Sequence, residues 1–218
     1  MADSILVSDF DGTVTGEDFF QLVVSHLLTP KDMKPWDEYL EGRLTHLEAL
    51  QRIFSKIQAP ESDVLALLED MRPDPAMSKS LGSLRAAGWE VIIASNGCDW
   101  YIRRILEQLG VHVELHANPG TYAEDGPLIM KAPVDSRFYS PEGGIDKAAI
   151  VRFHQERGAR VAFAGDGYTD QEAALLVPPQ LRFARAALAA VLRTREEPFQ
   201  PFSVWSDIGR TLLSRGNG

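Results

Sequence analysis

The chain has 218 residues, 44% of them hydrophobic, which is enough for a sizeable core in one large domain or a domain with an insertion, and too much for a disordered tail. A formal net charge of −9 disfavours nucleic acid and anionic membranes as partners, because phosphate backbones and lipid head groups are met by clustered Lys and Arg. One cysteine, Cys98, leaves neither an intrachain disulfide nor a zinc cluster, and with no leader-like or membrane-length apolar run the expectation is a cytoplasmic protein.

In chain order, the apolar run Ser4–Ser8 predicts a strand that ends in "SDFDGT". Strand signals then vanish over residues 16–74, where prolines 30, 35, 60 and 73 punctuate segments of helical spacing. "LEALQRIFSKI" sets Leu47, Leu50, Ile53, Phe54 and Ile57 on one face, and "ESDVLALLEDM" repeats the pattern from Glu61 and Ser62. Further strands are predicted at 90–94, 111–115, 160–164 and 181–184, with helices starting near Asp99, at Lys147 and in "QEAALL". Residues 121–139, rich in Gly and Pro, predict a loop or hairpin. The alternation predicts an α/β, Rossmann-like fold: a mostly parallel sheet formed by residues 1–15 and 75–218, interrupted after its first strand by a helical insertion at 16–74. In such sheets ligands sit beyond the strand carboxyl ends, and three of those ends carry polar residues.

Asp9 and Asp11 lie at the first of these ends, and period-two geometry turns both carboxyls to one side while the strand persists. A carboxylate can attack phosphorus when the phosphate charge is neutralised and the leaving oxygen receives a proton, so Asp9 is read as nucleophile and Asp11 as proton donor. Gly12 permits a tight turn, with the N–H groups of residues 10 to 13 read as a phosphate-facing nest; a plain Asp-Gly turn with two solvated acids is the alternative. In "GDGYTD", residues 165–170, Asp166 is read as a direct ligand of Mg²⁺, and Asp170 as bound through water or holding the loop. Helix capping is the competing role there. The Ser95 hydroxyl, with the N–H groups of Asn96 and Gly97, is read as donating to phosphate, as capping the next helix, or both. Lys147 opposes its helix dipole unless something anionic is near, and a buried cation there would offset charge on a phosphoryl group. Lys131, in the loop-like region, is its competitor.

Within the insertion, Asp18, Phe19, Phe20, Trp36, Tyr39, Arg43 and Arg52 are candidates for reading a leaving group, against plain packing for the aromatics and solvated faces for the arginines. Trp100 and Tyr101 follow Ser95 closely enough to approach the cleft, against a plain core role. "HVELH" would put His112, Glu114 and His116 on one strand face, which alternation alone explains without a metal.

Taken in order, these elements resemble the haloacid dehalogenase superfamily of phosphatases. Its signature D-x-D-G-T is "DFDGT" here; the Ser or Thr ending a strand is Ser95 in "IIASNG"; the lysine is Lys147; and the acidic G-D-x-x-x-D is "GDGYTD". The resemblance implies an aspartyl-phosphate intermediate on Asp9, acid/base catalysis by Asp11, and Mg²⁺ held by Asp9, the main-chain carbonyl of Asp11 and Asp166. An aspartate at 11, able to activate water against that intermediate, implies hydrolysis, and the leading expectation is a Mg²⁺-dependent phosphomonoesterase acting on a small phosphorylated metabolite. The insertion resembles the C1 cap of the phosphoserine phosphatase-like branch. Within it, "DFDGTVT", "SNGCDWYIRRIL" and "RFARAAL" are similar to the 2-hydroxy-3-keto-5-methylthiopentenyl-1-phosphate phosphatases of methionine salvage, although "PEGGIDK" lacks the cysteines usual there and Asn96 replaces a glycine. Competing readings are a receiver-like phosphoacceptor module, and dehalogenation or phosphoryl transfer to an alcohol on the same scaffold.

Overall fold

The computed structural model describes residues 4–123 and 126–214; residues 1–3, 124–125 and 215–218, parts of the expected core and loop, lie outside the described residues. Its strands are β1 (Ser4–Ser8), β2 (Trp89–Cys98), β3 (Glu114–Asn118), β4 (Gly120–Tyr122), β5 (Leu128–Met130), β6 (Tyr139–Ser140), β7 (Gly144–Ile145), β8 (Arg160–Gly165), β9 (Arg182–Ala184) and β10 (Gln200–Pro201). Six of them form one sheet in the order β10-β9-β8-β1-β2-β3, every pair parallel. The other four pair into two short antiparallel hairpins, β4-β5 and β6-β7.

The central position of β1 explains its sequence. It is paired on both edges, by β2 and β8, so both faces must be covered and the strand reads as one apolar run. Ile5 and Val7 turn to one face with Ile92 and Phe163, while Leu6 turns to the other with Ile93 and Ala162. The helices are α1 (Phe19–Leu27), α2 (Lys34–Leu40), α3 (His46–Phe54), α4 (Glu61–Asp70), α5 (Met77–Ala86), α6 (Asp99–Gln108), α7 (Lys147–Gln155), α8 (Gln171–Leu175), α9 (Ala186–Thr194) and α10 (Trp205–Ser214). Apolar residues of α7, α8 and α9 cover the Ile5 face, and those of α5, α6 and α10 cover the Leu6 face. The result is an α/β Rossmann-like architecture. Among the described residues no helix is long and apolar enough to cross a membrane.

Helices α1 to α4 fill the stretch between β1 and α5. Thr45 and Glu48 close a reciprocal capping box at the start of α3, and Leu47, Leu50, Ile53 and Phe54 are buried as the spacing predicts. The buried side chains of these helices join the core on the Leu6 face, through Phe19, Phe54 and Leu68. Two chain crossings meet at the neck: Gly16 N–H donates to the carbonyls of Met71 and Arg72, and Asp74 N–H to that of Val14.

Two strand expectations are corrected. The third strand begins at Glu114 rather than 111, because the Gly110 turn, with φ +64°, folds Val111 back so that its N–H donates to the Leu106 carbonyl. His112 therefore lies outside the strand, while His116 and Glu114 hydrogen-bond to each other at 2.8 Å. The second strand runs past Ala94 to Cys98 through a register shift, so Ser95 and Asn96 sit in its irregular last stretch.

Candidate active site

The chain leaves β1 for β2 on one side and reaches β8 on the other, so the carboxyl end of β1 is a topological switch point. Asp9 continues β1, its N–H donating to the Ala164 carbonyl at 2.9 Å. Behind it runs a buried polar chain: the Trp205 indole N–H donates to Ser8 Oγ at 3.0 Å, and the Ser8 hydroxyl to the Asp9 carbonyl at 2.8 Å. The backbone that aims Asp9 is thus tied to the last helix.

Lys147 opens α7 and points into the same mouth. Its Nζ donates to Asp9 Oδ1 and to Asp170 Oδ1, each at 2.6 Å, with the lysine only 4% exposed. Burial opposes the ammonium charge, but the carboxylates of Asp170 and Asp9 outweigh it and hold the pKa above the usual lysine value. Asp170 uses its other oxygen to accept from the N–H groups of Asp166 and Gly167 at 3.0 and 2.9 Å. Both of its oxygens are occupied, so it holds the loop and the lysine. Lys131, by contrast, is exposed, its N–H closing on the Pro119 carbonyl.

Carboxylate oxygens of Asp9, Asp166 and Asp170 lie within 4.8 Å of one another. Burial first, then repulsion from Asp170, pushes Asp9 up to about 6; burial and repulsion from Asp9 and Asp170 push Asp166 up to about 9. Three clustered carboxyls against one lysine leave a charge deficit that a hard, oxygen-seeking cation fits, and Asp9 and Asp166 keep oxygens outside the Lys147 and loop contacts. Gly12, with φ +65°, admits this cluster: a Cβ there would lie 2.3 Å from Asp166 Oδ2. The expected nest is narrower than predicted, since Gly12 N–H donates to Thr15 Oγ1 and Thr13 N–H to the Phe10 carbonyl, which consumes both donors inside the turn.

Asp11 is held from two sides. Its Oδ2 accepts from the Tyr101 hydroxyl at 2.6 Å and, more weakly, from Ser95 at 3.4 Å, while Oδ1 accepts from Phe19 N–H at 3.2 Å. Burial, with the nearby Asp18 carboxylate, pushes Asp11 up to about 8 despite the Tyr101 bond. Ser95 Oγ also accepts from Gly97 N–H at 2.9 Å. The Asn96 side chain points away, donating to the carbonyls of Gly143 and Ile145 at 2.9 and 2.8 Å and so anchoring the approach to Lys147.

These groups open on a cavity of about 680 Å³, whose other wall is formed by Asp18, Phe20, Trp36, Tyr39 and His46. Asp18 also caps α1 through Gln21 N–H. Phe19 is fully buried, packed on Phe54 and Tyr101 rather than lining the cavity. Arg43 and Arg52 do not reach it: each is more than half exposed and pairs locally, with Glu41 and Glu38. Sequence reading missed His46, a cavity residue whose buried Nδ1 has no hydrogen-bond partner among the described residues; Tyr101, weighed as approaching the cleft or as core, is both buried and bonded to Asp11.

The clustered acids set a stability prediction. In metal-free protein Asp9, Asp11 and Asp166 have native pKa values raised above the unfolded value near 3.8. The native state then binds more protons than the unfolded chain, so this contribution is present below about pH 4 and is lost as pH rises through about 6 to 9. The melting temperature of chelated protein is expected to fall by at least about 5 °C from pH 5.5 to 8.5. Saturating Mg²⁺ should restore about 5–10 °C at pH 8.5 and less at pH 5.5. A flat or rising metal-free profile in thermal melts would contradict the assignment.

Over 176 residues the chain is 23% identical to a 2-hydroxy-3-keto-5-methylthiopentenyl-1-phosphate phosphatase from Bacillus pumilus, covering 80% of this chain and 76% of that protein. It is 24% identical to the enzyme of that name from Bacillus velezensis, covering 91% and 86%. Among solved structures, a substrate-bound phosphoserine phosphatase superposes with a TM-score of 0.65 at 17% identity, covering 99% of both chains. A HAD family hydrolase from Salmonella enterica superposes at 0.68 and 17% identity, covering 92% of this chain and 67% of that one. The haloacid dehalogenase-like hydrolase profile matches residues 6–175, and the chain belongs to that family.

Proposed function

We propose that this HAD-family phosphatase is a Mg²⁺-dependent phosphomonoesterase that acts through an aspartyl phosphate on Asp9, with residues 16–74 as a cap over a core made of residues 1–15 and 75–218. The observation that carries the reading is the Asp9 carboxyl at the cavity floor, one oxygen fixed by Lys147 and acidic oxygens of Asp166 and Asp170 beside it.

Bound by Asp9, Asp166 and the Asp11 carbonyl, Mg²⁺ would supply charge neutralisation and orientation for the phosphoryl group. Lys147 holds the Asp9 carboxyl through Oδ1, so that one carboxylate oxygen would face the cation while the other attacks phosphorus. Asp11, pushed up to about 8, carries a proton at neutral pH and gives it to the leaving oxygen as the P–O bond breaks. The Asp11 carboxylate then takes a proton from the water that attacks the aspartyl phosphate, which releases phosphate and restores Asp9. The Ser95 hydroxyl, with the N–H groups of Asn96 and Gly97, is the proposed contact for a phosphoryl oxygen, and all three residues line the cavity.

The cap wall sets the substrate. Phe20, Trp36 and Tyr39 offer an apolar surface. His46 is pushed down to about 4 by burial and by Lys147, so it faces the cavity as a neutral imidazole. Lys147 is the one cation among the described lining residues, and it is already paired. A neutral leaving group with hydroxyl or carbonyl oxygens and an apolar tail fits this wall, as in the hydroxy-keto, methylthio compound named for the Bacillus relatives. This supports a place in methionine salvage.

The test is phosphate release from a panel of phosphorylated metabolites with and without Mg²⁺. Release should require the metal, and kcat/KM for a neutral hydroxy-keto alkyl phosphate should exceed that for phosphoserine at least about tenfold. Undiminished turnover in excess chelator would refute the metal-dependent mechanism, and a preference for phosphoserine would refute the substrate assignment.

A further inference from the structure

We infer that Tyr101 is a positioning residue for the proton-transfer step, its hydroxyl holding Asp11 in line with the leaving-group oxygen. The inference rests on the phosphatase reading above and adds a residue that the four short motifs do not contain.

Tyr101 stands in the first turn of α6, where side chains lean back toward the helix N-terminus and hence toward the strand ends. Asp99 fixes that turn by accepting from Gly120 N–H at 2.9 Å. The ring is 1% exposed and stacks on Phe19, with centroids 4.1 Å apart and planes at 25°. Packing alone would be served by phenylalanine. The hydroxyl is what packing does not explain, and its partner is Asp11 Oδ2 at 2.6 Å, the shortest hydrogen bond that carboxyl receives.

The neighbouring residue keeps this contact open. A Cβ on Gly97 would lie 1.9 Å from the Tyr101 hydroxyl and 2.8 Å from Asp11 Oδ2. At 2.6 Å from Asp11 Oδ2, the Tyr101 hydroxyl is the donor of the pair. One Asp11 oxygen is thereby held from the core helix α6 and the other by Phe19 N–H at the start of α1. Because Phe19 also stacks on Tyr101, the two clamps share one aromatic contact across the cap boundary.

The chemistry separates positioning from packing. In the first step the Asp9–P bond forms, the bond from phosphorus to the leaving oxygen breaks, and the Asp11 proton passes to that oxygen. An alkoxide needs the proton; p-nitrophenolate leaves without it. For Tyr101→Phe, kcat/KM on an alkyl phosphate such as glycerol 2-phosphate is expected to fall about tenfold, and on p-nitrophenyl phosphate less than about threefold, with KM little changed. If Tyr101→Phe folds poorly in thermal melts, the ratio of its two kcat/KM values, which a reduced folded fraction leaves unchanged, carries the same test. Equal losses on both esters, or no loss on either, would overturn the inference while leaving phosphatase activity intact. Wild-type enzyme that hydrolyses neither ester with Mg²⁺ would instead refute the reading on which it rests.

Discussion

Replacing Asp9 with Asn is expected to lower kcat on every phosphate monoester by at least about 10⁴, because the amide keeps the shape of the side chain and loses the oxygen nucleophile. The variant should fold. Native Asp9 is pushed up to about 6, mainly by burial and then by Asp170, so above that pH its charge works against the folded state. Asn removes that penalty and can still accept from Lys147. In thermal melts, metal-free Asp9→Asn protein at pH 8 is therefore expected to unfold no more than about 3 °C below wild type. Beryllium fluoride should give bound ¹⁹F signals with wild-type enzyme and Mg²⁺ and none with the variant. Residual turnover above one part in a hundred, or an adduct retained by Asp9→Asn, would move the nucleophile to another side chain.

The parts of this site that sequence made legible are those where polarity breaks an apolar pattern. β1 is buried on both faces, so its run of Ile5, Leu6 and Val7 stops conspicuously at Ser8 and Asp9. Lys147 was legible for the converse reason, a cation in a first helical turn where the dipole disfavours it. Asp166 and Asp170 follow β8 in the same way.

Other features depend on contacts that no local pattern encodes. Tyr101 carries the spacing of a core residue and is one; its role turns on a single hydroxyl meeting a carboxyl 90 positions away. The Trp205 to Ser8 contact joins residues 197 apart. His46 begins a well-capped amphipathic helix, and only the folding of α2 beside α3 shows that its ring borders Trp36 and Tyr39 in the cavity wall. Arg43 and Arg52 failed as substrate readers because Glu41 and Glu38 lie close enough to satisfy them on the surface. The shifted third strand has a local cause as well: a left-handed Gly110 spends Val111 on closing α6, which apolar alternation cannot reveal.

Lys147→Met should cost both catalysis and stability, and the pH dependence of the second identifies its cause. Nζ bridges Asp9 and Asp170 at 2.6 Å each, and the pair it neutralises is as buried as the lysine itself. Removing one partner from such an arrangement costs about 3–5 kcal/mol, or roughly 10 °C in a chain of this size. Loss of the cation beside the transferring phosphoryl group should lower kcat by about 10³. The native pKa of Lys147 lies above its unfolded value, so the stabilisation it brings is complete below about pH 10 and does not itself vary between pH 5 and 8.5. The variation comes from the acids left behind. Without the lysine the native pKa values of Asp9 and Asp166 rise further above the unfolded value, and each added charge makes folding less favourable as pH increases. The melting deficit of metal-free Lys147→Met should accordingly be small near pH 5 and reach its full size by pH 8.5. A deficit that is the same at both pH values would point to a packing defect and remove the electrostatic role assigned to this side chain.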